Sequence, residues 1–259
     1  MIAARNVRKH YIKRTGLWSK AVVHAVSGVT LEIGPGETVG LVGESGDGKS
    51  TLGRCMAGME SLTEGQIVWG QSDISRLSFH EMRLLRKEVQ LIFQDPFDAL
   101  NPNLTVEQLV MEPLVHLNIG TARERSQKVR NLLERVGSLP EHALRYPGQL
   151  SRGQCQRVNI ARAFILEPSF VICDEMISAL DVSVGAQILN LLLDLQEEKG
   201  RGYLFISHDL ARVMQISHRI AVMYNGSIVE VADSRNFHLE ASHPYTRSLI
   251  AAVPKLSHK

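Results

Sequence analysis

The stretch Gly43-Glu44-Ser45-Gly46-Asp47-Gly48-Lys49-Ser50-Thr51 constrains this chain more than any other. It follows an apolar, strand-like run, Thr38-Val39-Gly40-Leu41-Val42, and leads into a helix-competent segment from Leu52 to Met59. A strand, a glycine-rich loop and a helix in that order form a phosphate-binding P-loop, here with the spacing G-x-x-x-x-G-K-S. Glycines let the backbone turn tightly enough for several N–H groups to converge on phosphate oxygens. The helix that follows adds the positive end of its dipole. Lys49 is placed to reach the β- and γ-phosphates, and the Ser50 hydroxyl to ligate Mg²⁺. An incidental lysine in a flexible glycine loop would not come with this strand–helix context. The loop predicts a site for a nucleoside triphosphate.

A chain of 259 residues, 44% hydrophobic and 22% charged, can bury one large α/β domain or two small ones. Its formal net charge of +2 argues neither for nor against nucleic acid, and it has no Lys/Arg block of the nucleic-acid-arm kind. Arg123, Arg125, Lys128, Arg130 and Arg135 lie among Glu124, Glu134 and the apolar Val129, Leu132 and Leu133, the pattern of a solvated helix face. Cys55, Cys155 and Cys173 lack metal-ligand spacing. Their odd number, with no secretory segment, points to a reducing cytosol. Met1 to His10 carries Arg5, Arg8 and Lys9 without an apolar signal core. No run of about 18 apolar residues exists to span a membrane, so the chain is expected to be soluble.

Strand-like runs recur at Val29–Ile33, Thr38–Val42, Ile67–Trp69, Val89–Phe93, Phe170–Cys173, Tyr203–Ile206 and Ile220–Tyr224. Helical patterns between several of them predict an α/β layout with a largely parallel sheet. The clearest helix follows Ser183 as N-cap, with Val184, Ile188, Leu191, Leu192 and Leu195 at helical spacing, and stops at Gly200. Gly34-Pro35-Gly36 separates two early strands, and Asn225-Gly226 reads as a hairpin turn into Ser227–Val231. From Asp95 to Gln149 no strand pattern appears, only loops and helical stretches such as Ala122–Val136. That region reads as a helical insertion. A short helix is expected at Tyr245–Ala252.

Phe170-Val171-Ile172-Cys173-Asp174-Glu175 is an apolar strand ending in two acids. In P-loop enzymes such a strand brings its carboxylates to the bound phosphates. Asp174 is then placed to hold Mg²⁺ through water, and Glu175 to orient and polarise the attacking water. An acidic pair after a strand is otherwise a helix cap or a solvated loop, and the P-loop in the same chain favours the chemical reading. Leu150-Ser151-Arg152-Gly153-Gln154 precedes the helical run Cys155–Ile165, with Ser151 as a candidate cap.

The order of P-loop, insertion, this peptide and the acidic strand resembles the ATP-binding cassette (ABC) ATPases, whose signature is Leu-Ser-Gly-Gly-Gln. The resemblance covers essentially the whole chain. It implies that Ser151, Arg152, Gly153 and Gln154 act on ATP held by a partner cassette. It identifies Gln94 with the family's Q-loop glutamine, a Mg²⁺ ligand and sensor of the membrane partner. Ser178-Ala179-Leu180-Asp181 resembles the D-loop, with Asp181 touching the opposing subunit, and His208 resembles the switch histidine at the γ-phosphate. Tyr11 matches the adenine-stacking aromatic, with Trp18 as its rival.

Within the family, Phe93-Gln94-Asp95-Pro96-Phe97-Asp98-Ala99-Leu100-Asn101-Pro102, Gly153-Gln154-Cys155-Gln156-Arg157, Ile172-Cys173-Asp174-Glu175 and His243-Pro244-Tyr245-Thr246 resemble ATPase subunits of oligopeptide, dipeptide and nickel importers. The second of their two ATPase subunit types is the more similar. Three features depart from the pattern. Arg152 stands where the signature has its first glycine, and Asp47 where the P-loop has a small residue. The chain also reaches Lys259 without a cysteine-bearing tail, which removes a basis for an iron–sulfur cluster and slightly raises the metal-importer reading.

The resemblance implies an ABC nucleotide-binding domain over 1–259. It would have a RecA-like α/β core with an antiparallel β part at 1–94 and 151–231, a helical subdomain at 95–150 and a C-terminal extension at 232–259. The implied activity is ATP hydrolysis with Mg²⁺, energising peptide import from the cytoplasmic face of the cytoplasmic membrane. Lys49, Glu175 and His208 would be catalytic, and Ser50, Gln94 and Asp174 would hold the metal. Implied partners are a second ABC ATPase, two membrane permease subunits and an extracytoplasmic substrate-binding protein, with no nucleic acid. Alternatives are a nickel or metal-chelate importer subunit, a soluble non-transport ABC ATPase, and a degenerate ATP-binding subunit.

Overall fold

In the computed structural model, residues 1–14 and 20–252 are described. The strands are β1 Ile2–Arg14, β2 Lys20–Ile33, β3 Thr38–Val42, β4 Glu64–Trp69, β5 Ser72–Asp73, β6 Val89–Ile92, β7 Phe170–Asp174, β8 Gly202–Ile206, β9 Arg219–Tyr224 and β10 Ser227–Asp233. The helices are α1 Lys49–Met56, α2 Phe79–Glu88, α3 Pro96–Ala99, α4 Val106–His116, α5 Ala122–Arg135 and α6 Arg152–Phe164. They continue with α7 Val182–Glu197, α8 Leu210–Ile216, α9 Phe237–Glu240 and α10 Pro244–Ala252. The chain divides into two compact units: the described parts of Met1–Arg83 and Gly202–Lys259, and Leu84–Arg201.

The first unit contains both kinds of sheet. β3, β8 and β9 are parallel, in register Leu41↔Ile206 and Leu41↔Ala221. Every residue of β3 and β8 is buried, as expected for parallel strands covered on both faces. α8 packs against β3, and α1 contacts β8, β1 and β2. β10 returns antiparallel to β9 through Asn225 and Gly226, whose φ of 46° and 82° are the positive angles of a type I′ hairpin turn. A second, antiparallel sheet runs β2-β1-β4-β5, its core face formed by Ile2, Ala4, Val7, Val29, Leu31, Ile33 and Ile67. β1 was not expected as a strand. Register shifts at Ala4/Val7, Val7/Arg8 and Lys9/His10 break its apolar alternation, so no period of two is readable.

The second unit pairs β6 with β7 in parallel from Val89↔Phe170 to Ile92↔Cys173. Residues 95–150 form helices, and none of them is in a strand. Thr105 with Gln108 opens α4, and Thr121 with Glu124 opens α5, each as a reciprocal capping box. α4 packs on α5 and α6, burying Val106, Leu109, Val110, Val129, Leu133 and Val158.

Several boundaries differ from expectation: β2 begins at Lys20 rather than Val29, and β4 at Glu64 rather than Ile67. α7 is capped by Asp181 rather than Ser183, because the Asp181 carbonyl already accepts from the Gly185 N–H at 2.8 Å. α1 begins at Lys49 rather than Leu52, so the motif lysine and serine are themselves the first helical residues.

Candidate functional site

The P-loop leaves the C-terminal end of β3. Gly48 caps α1 with φ 94°, and a Cβ there would lie 1.8 Å from the Ala25 carbonyl oxygen, so only glycine fits. Gly48 offers no side-chain cap, and the first turn of α1 carries no acid. Nothing in that turn competes with an anion for the helix's positive end. Lys49 is 4% exposed, and its Nζ donates to the carbonyls of Gly43 at 2.9 Å and Glu44 at 2.7 Å. Its charge is held over the loop it serves. Ser45 and Gly46 form the exposed tip, while Ser50 and Thr51 lie inside α1.

Asp47 is only 7% exposed. Its Oδ2 accepts from the Glu44 N–H at 2.7 Å and from the Tyr245 hydroxyl at 3.1 Å, and its Oδ1 from the Asn225 N–H at 3.0 Å. The misfit read from the motif is thus a carboxylate with three donors.

His208 follows β8, which lies beside β3, and the Ser207 N–H donates to the Leu41 carbonyl at 3.2 Å. The histidine and the P-loop therefore leave the same ends of adjacent parallel strands. His208 is exposed, and Asp209 after it caps α8 by accepting from the Arg212 N–H. Tyr11 lies on β1, with its hydroxyl bonded to Glu60 and Lys9 Nζ 5.1 Å from its ring centre. Burial and the Glu60 carboxylate raise the Tyr11 pKa. Trp18, its rival, lies outside the described residues.

The second unit gathers the other predicted residues. Asp174 ends β7 and is 6% exposed. Glu175 follows it with φ 46°, a left-handed conformation unusual for glutamate. Its Oε2 accepts from Gln94 Nε2 at 3.0 Å, because Gln94 and Glu175 follow the ends of the paired β6 and β7. Its carbonyl accepts from the Ser178 hydroxyl at 2.8 Å, tying the acid to the turn that leads to Asp181, which is exposed.

Ser151 caps α6 in a reciprocal box with Gln154, at 2.8 and 3.3 Å. Arg152 donates to Asp95 Oδ2 at 3.1 Å, and Asp95 Oδ1 accepts from the Phe97 N–H at 3.0 Å. Gly153 has its own reason to lack a side chain, since a Cβ would lie 2.8 Å from Val184 Cγ1. Two residues outside the expected set, Asp95 and Tyr245, partner the two departures. Both lie within quoted motifs, but no local pattern points to the pairing.

Among the described residues no cluster of three or more His, Cys, Asp or Glu could hold a metal ion alone. The Ser50 hydroxyl in the first unit, and the Gln94 amide oxygen and Asp174 carboxylate in the second, are each hard donors of the kind that suits Mg²⁺. Mg²⁺, where bound with ATP, would supply charge neutralisation to the phosphates. The Gln94 amide nitrogen donates to Glu175, so of its two amide atoms the oxygen is the one that could ligate a cation. Among the described residues, no helix is long and apolar enough to cross a membrane.

The family described as ABC transporter matches residues 26–178, more than half of the chain. The glutathione import ATP-binding protein GsiA is 48% identical over 256 residues in Salmonella typhi and in Escherichia coli K12. Each match covers 98% of this chain and 41% of the relative, so the chain spans about two fifths of those proteins. Among solved structures, a post-hydrolysis dimer of the ATP-binding cassette MJ0796 bound to ADP and Pi superposes with TM-score 0.82 at 30% identity, over 92% of this chain and all of that one. The cassette cbiO1 of Clostridium perfringens, part of the cbiONQ complex, gives 0.78 at 26% identity, over 92% and 90%.

Proposed function

We propose that this chain, which belongs to the ABC transporter family of ATPases, energises uptake of peptide-type solutes. ATP occupies the P-loop from Gly43 to Thr51, with Lys49 on its β- and γ-phosphates, Tyr11 at the adenine and His208 at the γ-phosphate. Glu175 accepts the proton of the attacking water while Gln94 holds its carboxylate in place. The observation that carries this reading is the Gln94–Glu175 hydrogen bond at 3.0 Å. It holds a backbone-strained acid in place through the amide nitrogen of Gln94, an arrangement suited to general-base catalysis.

Ser151, Arg152, Gly153 and Gln154 act on the ATP of a second cassette, with Asp181 at the same junction. GsiA is more than twice as long as the matched stretch, which leaves room for a second cassette and fits a site shared by two. Two permease subunits, a substrate-binding protein outside the membrane and a position on its cytoplasmic face complete the proposed assembly. The peptide-type solute rests on the 48% identity to a glutathione import protein.

Glu175→Gln keeps an oxygen for Gln94 but cannot take a proton. It is expected to leave ATP binding intact and to slow phosphate release from its own site at least about 100-fold in the assembled transporter. Near-normal release from that site would exclude Glu175 as the base. Vesicles holding the complex and its binding protein should accumulate labelled di- or tripeptide only with ATP inside the compartment of the cassettes. Failure to do so with active ATPase would refute the solute class alone.

A further inference from the structure

The phosphate loop carries an acid that its chemistry does not want. A carboxylate free to move among phosphate-binding amides would repel the ligand at a distance of a few ångströms. The loop does not leave it free. Asp47 is bonded to the Glu44 and Asn225 amides, and its Oδ2 also receives the Tyr245 hydroxyl. That same Tyr245 oxygen accepts from the Glu44 N–H at 2.8 Å. The tyrosine thus closes a ring of Glu44 amide, Asp47 carboxylate and phenol.

Tyr245 is delivered from far along the chain by α10, and its placement is over-determined. Its ring packs on Tyr224, with centroids 4.3 Å apart. The residues just before α10 are anchored to β10, where Glu230 accepts from the Ser242 N–H at 2.6 Å and the Ser242 hydroxyl at 2.8 Å. Burial and the neighbouring Asp47 push the Tyr245 pKa up to about 12, so the phenol keeps its proton and remains a donor at any physiological pH.

We infer that Tyr245 is a positioning residue for nucleotide binding, holding the Asp47 carboxylate against Glu44 and Asn225 so that the phosphate loop accepts an anion despite its acid. The inference rests on the reading that the P-loop holds ATP. Its mark is coupling: Tyr245 matters to ATP only while residue 47 is charged.

The test is titration of the full chain with a fluorescent ATP analogue and Mg²⁺. Tyr245→Phe, which deletes one hydroxyl, is expected to raise Kd about fivefold, with the melting temperature of the nucleotide-free protein near that of wild type. In an Asp47→Asn background the same change is expected to move Kd less than twofold. Asp47→Asn alone should bind at least as tightly as wild type. An unchanged Kd for Tyr245→Phe, an equal penalty in both backgrounds, or weaker binding by Asp47→Asn would each overturn the inference. Lys49→Ala separates the two levels of the argument. If it binds nucleotide normally, the P-loop reading fails. If it loses binding while Tyr245→Phe does not, only the positioning role fails.

Discussion

Glu175 sits at φ 46°, and that angle makes a quantitative prediction. A left-handed conformation costs an L-residue about 1–2 kcal/mol through contact of Cβ with its own backbone. Asn6, Asn118, Asn225 and a second glutamate, Glu167, share positive φ; asparagine visits that region readily, whereas glutamate enters it only against strain. Such strain persists where surrounding bonds hold it. Here those bonds are Gln94 on the carboxylate and Ser178 on the carbonyl. Two truncations separate strain from contacts. Glu175→Ala and Glu175→Gly both lose the carboxylate and its bond to Gln94, so those costs cancel between them. Alanine retains the Cβ clash. Glycine relieves it but gains about 0.5–1 kcal/mol of unfolded-state entropy. The glycine variant should be the more stable by about 1 kcal/mol, the reverse of the order inside a helix, and should melt about 2–4 °C higher. Both should bind ATP and both should lose hydrolysis at their own site by at least about 100-fold. The assays are thermal unfolding without nucleotide and phosphate release from the assembled complex. If the alanine variant melts at or above the glycine variant, residue 175 carries no such strain and the surrounding bonds do not hold the acid against it.

Arg152→Gly should cost little stability, since the Arg152–Asp95 pair is 39% and 38% exposed and such pairs contribute at most about 1 kcal/mol. It should raise turnover of the complex at saturating ATP, with affinity at this chain's own P-loop unchanged. Unchanged or lower turnover in a well-folded complex would show that the arginine does not restrain the shared site. Glu167 is held down to a pKa of about 2 by Lys128 and Lys199. Its contribution to stability is therefore complete above the ordinary value of 4.5 and lost as pH falls toward 2. The stability gap between wild type and Glu167→Gln should close over that window and shrink in high salt. A gap independent of pH from 6 to 2 would contradict the pairing.

What could be read from the sequence was what phosphate chemistry and local backbone geometry write into contiguous residues. The loop from Gly43 to Thr51, the cap at Ser151 and the hairpin at Asn225-Gly226 are each dictated by a few neighbours, and each lies where expected. β1 was illegible because its register shifts erase alternation. The cap at Asp181 was missed because Ser183 is an equally good capping residue, and only the backbone bond from Gly185 decides between them. The partners of the two departures are a different matter. Asp95 lies 57 residues from Arg152, and Tyr245 lies 198 residues from Asp47. No periodicity or propensity names a partner at such distances, because the fold alone brings them together. Yet the need for a partner was legible. A charge placed inside a phosphate-binding loop or at the start of the signature helix must be paired, or it will act on the ligand. A departure of this kind is therefore a demand placed on the rest of the chain, and the residue that meets it is where a second substitution should have its largest effect.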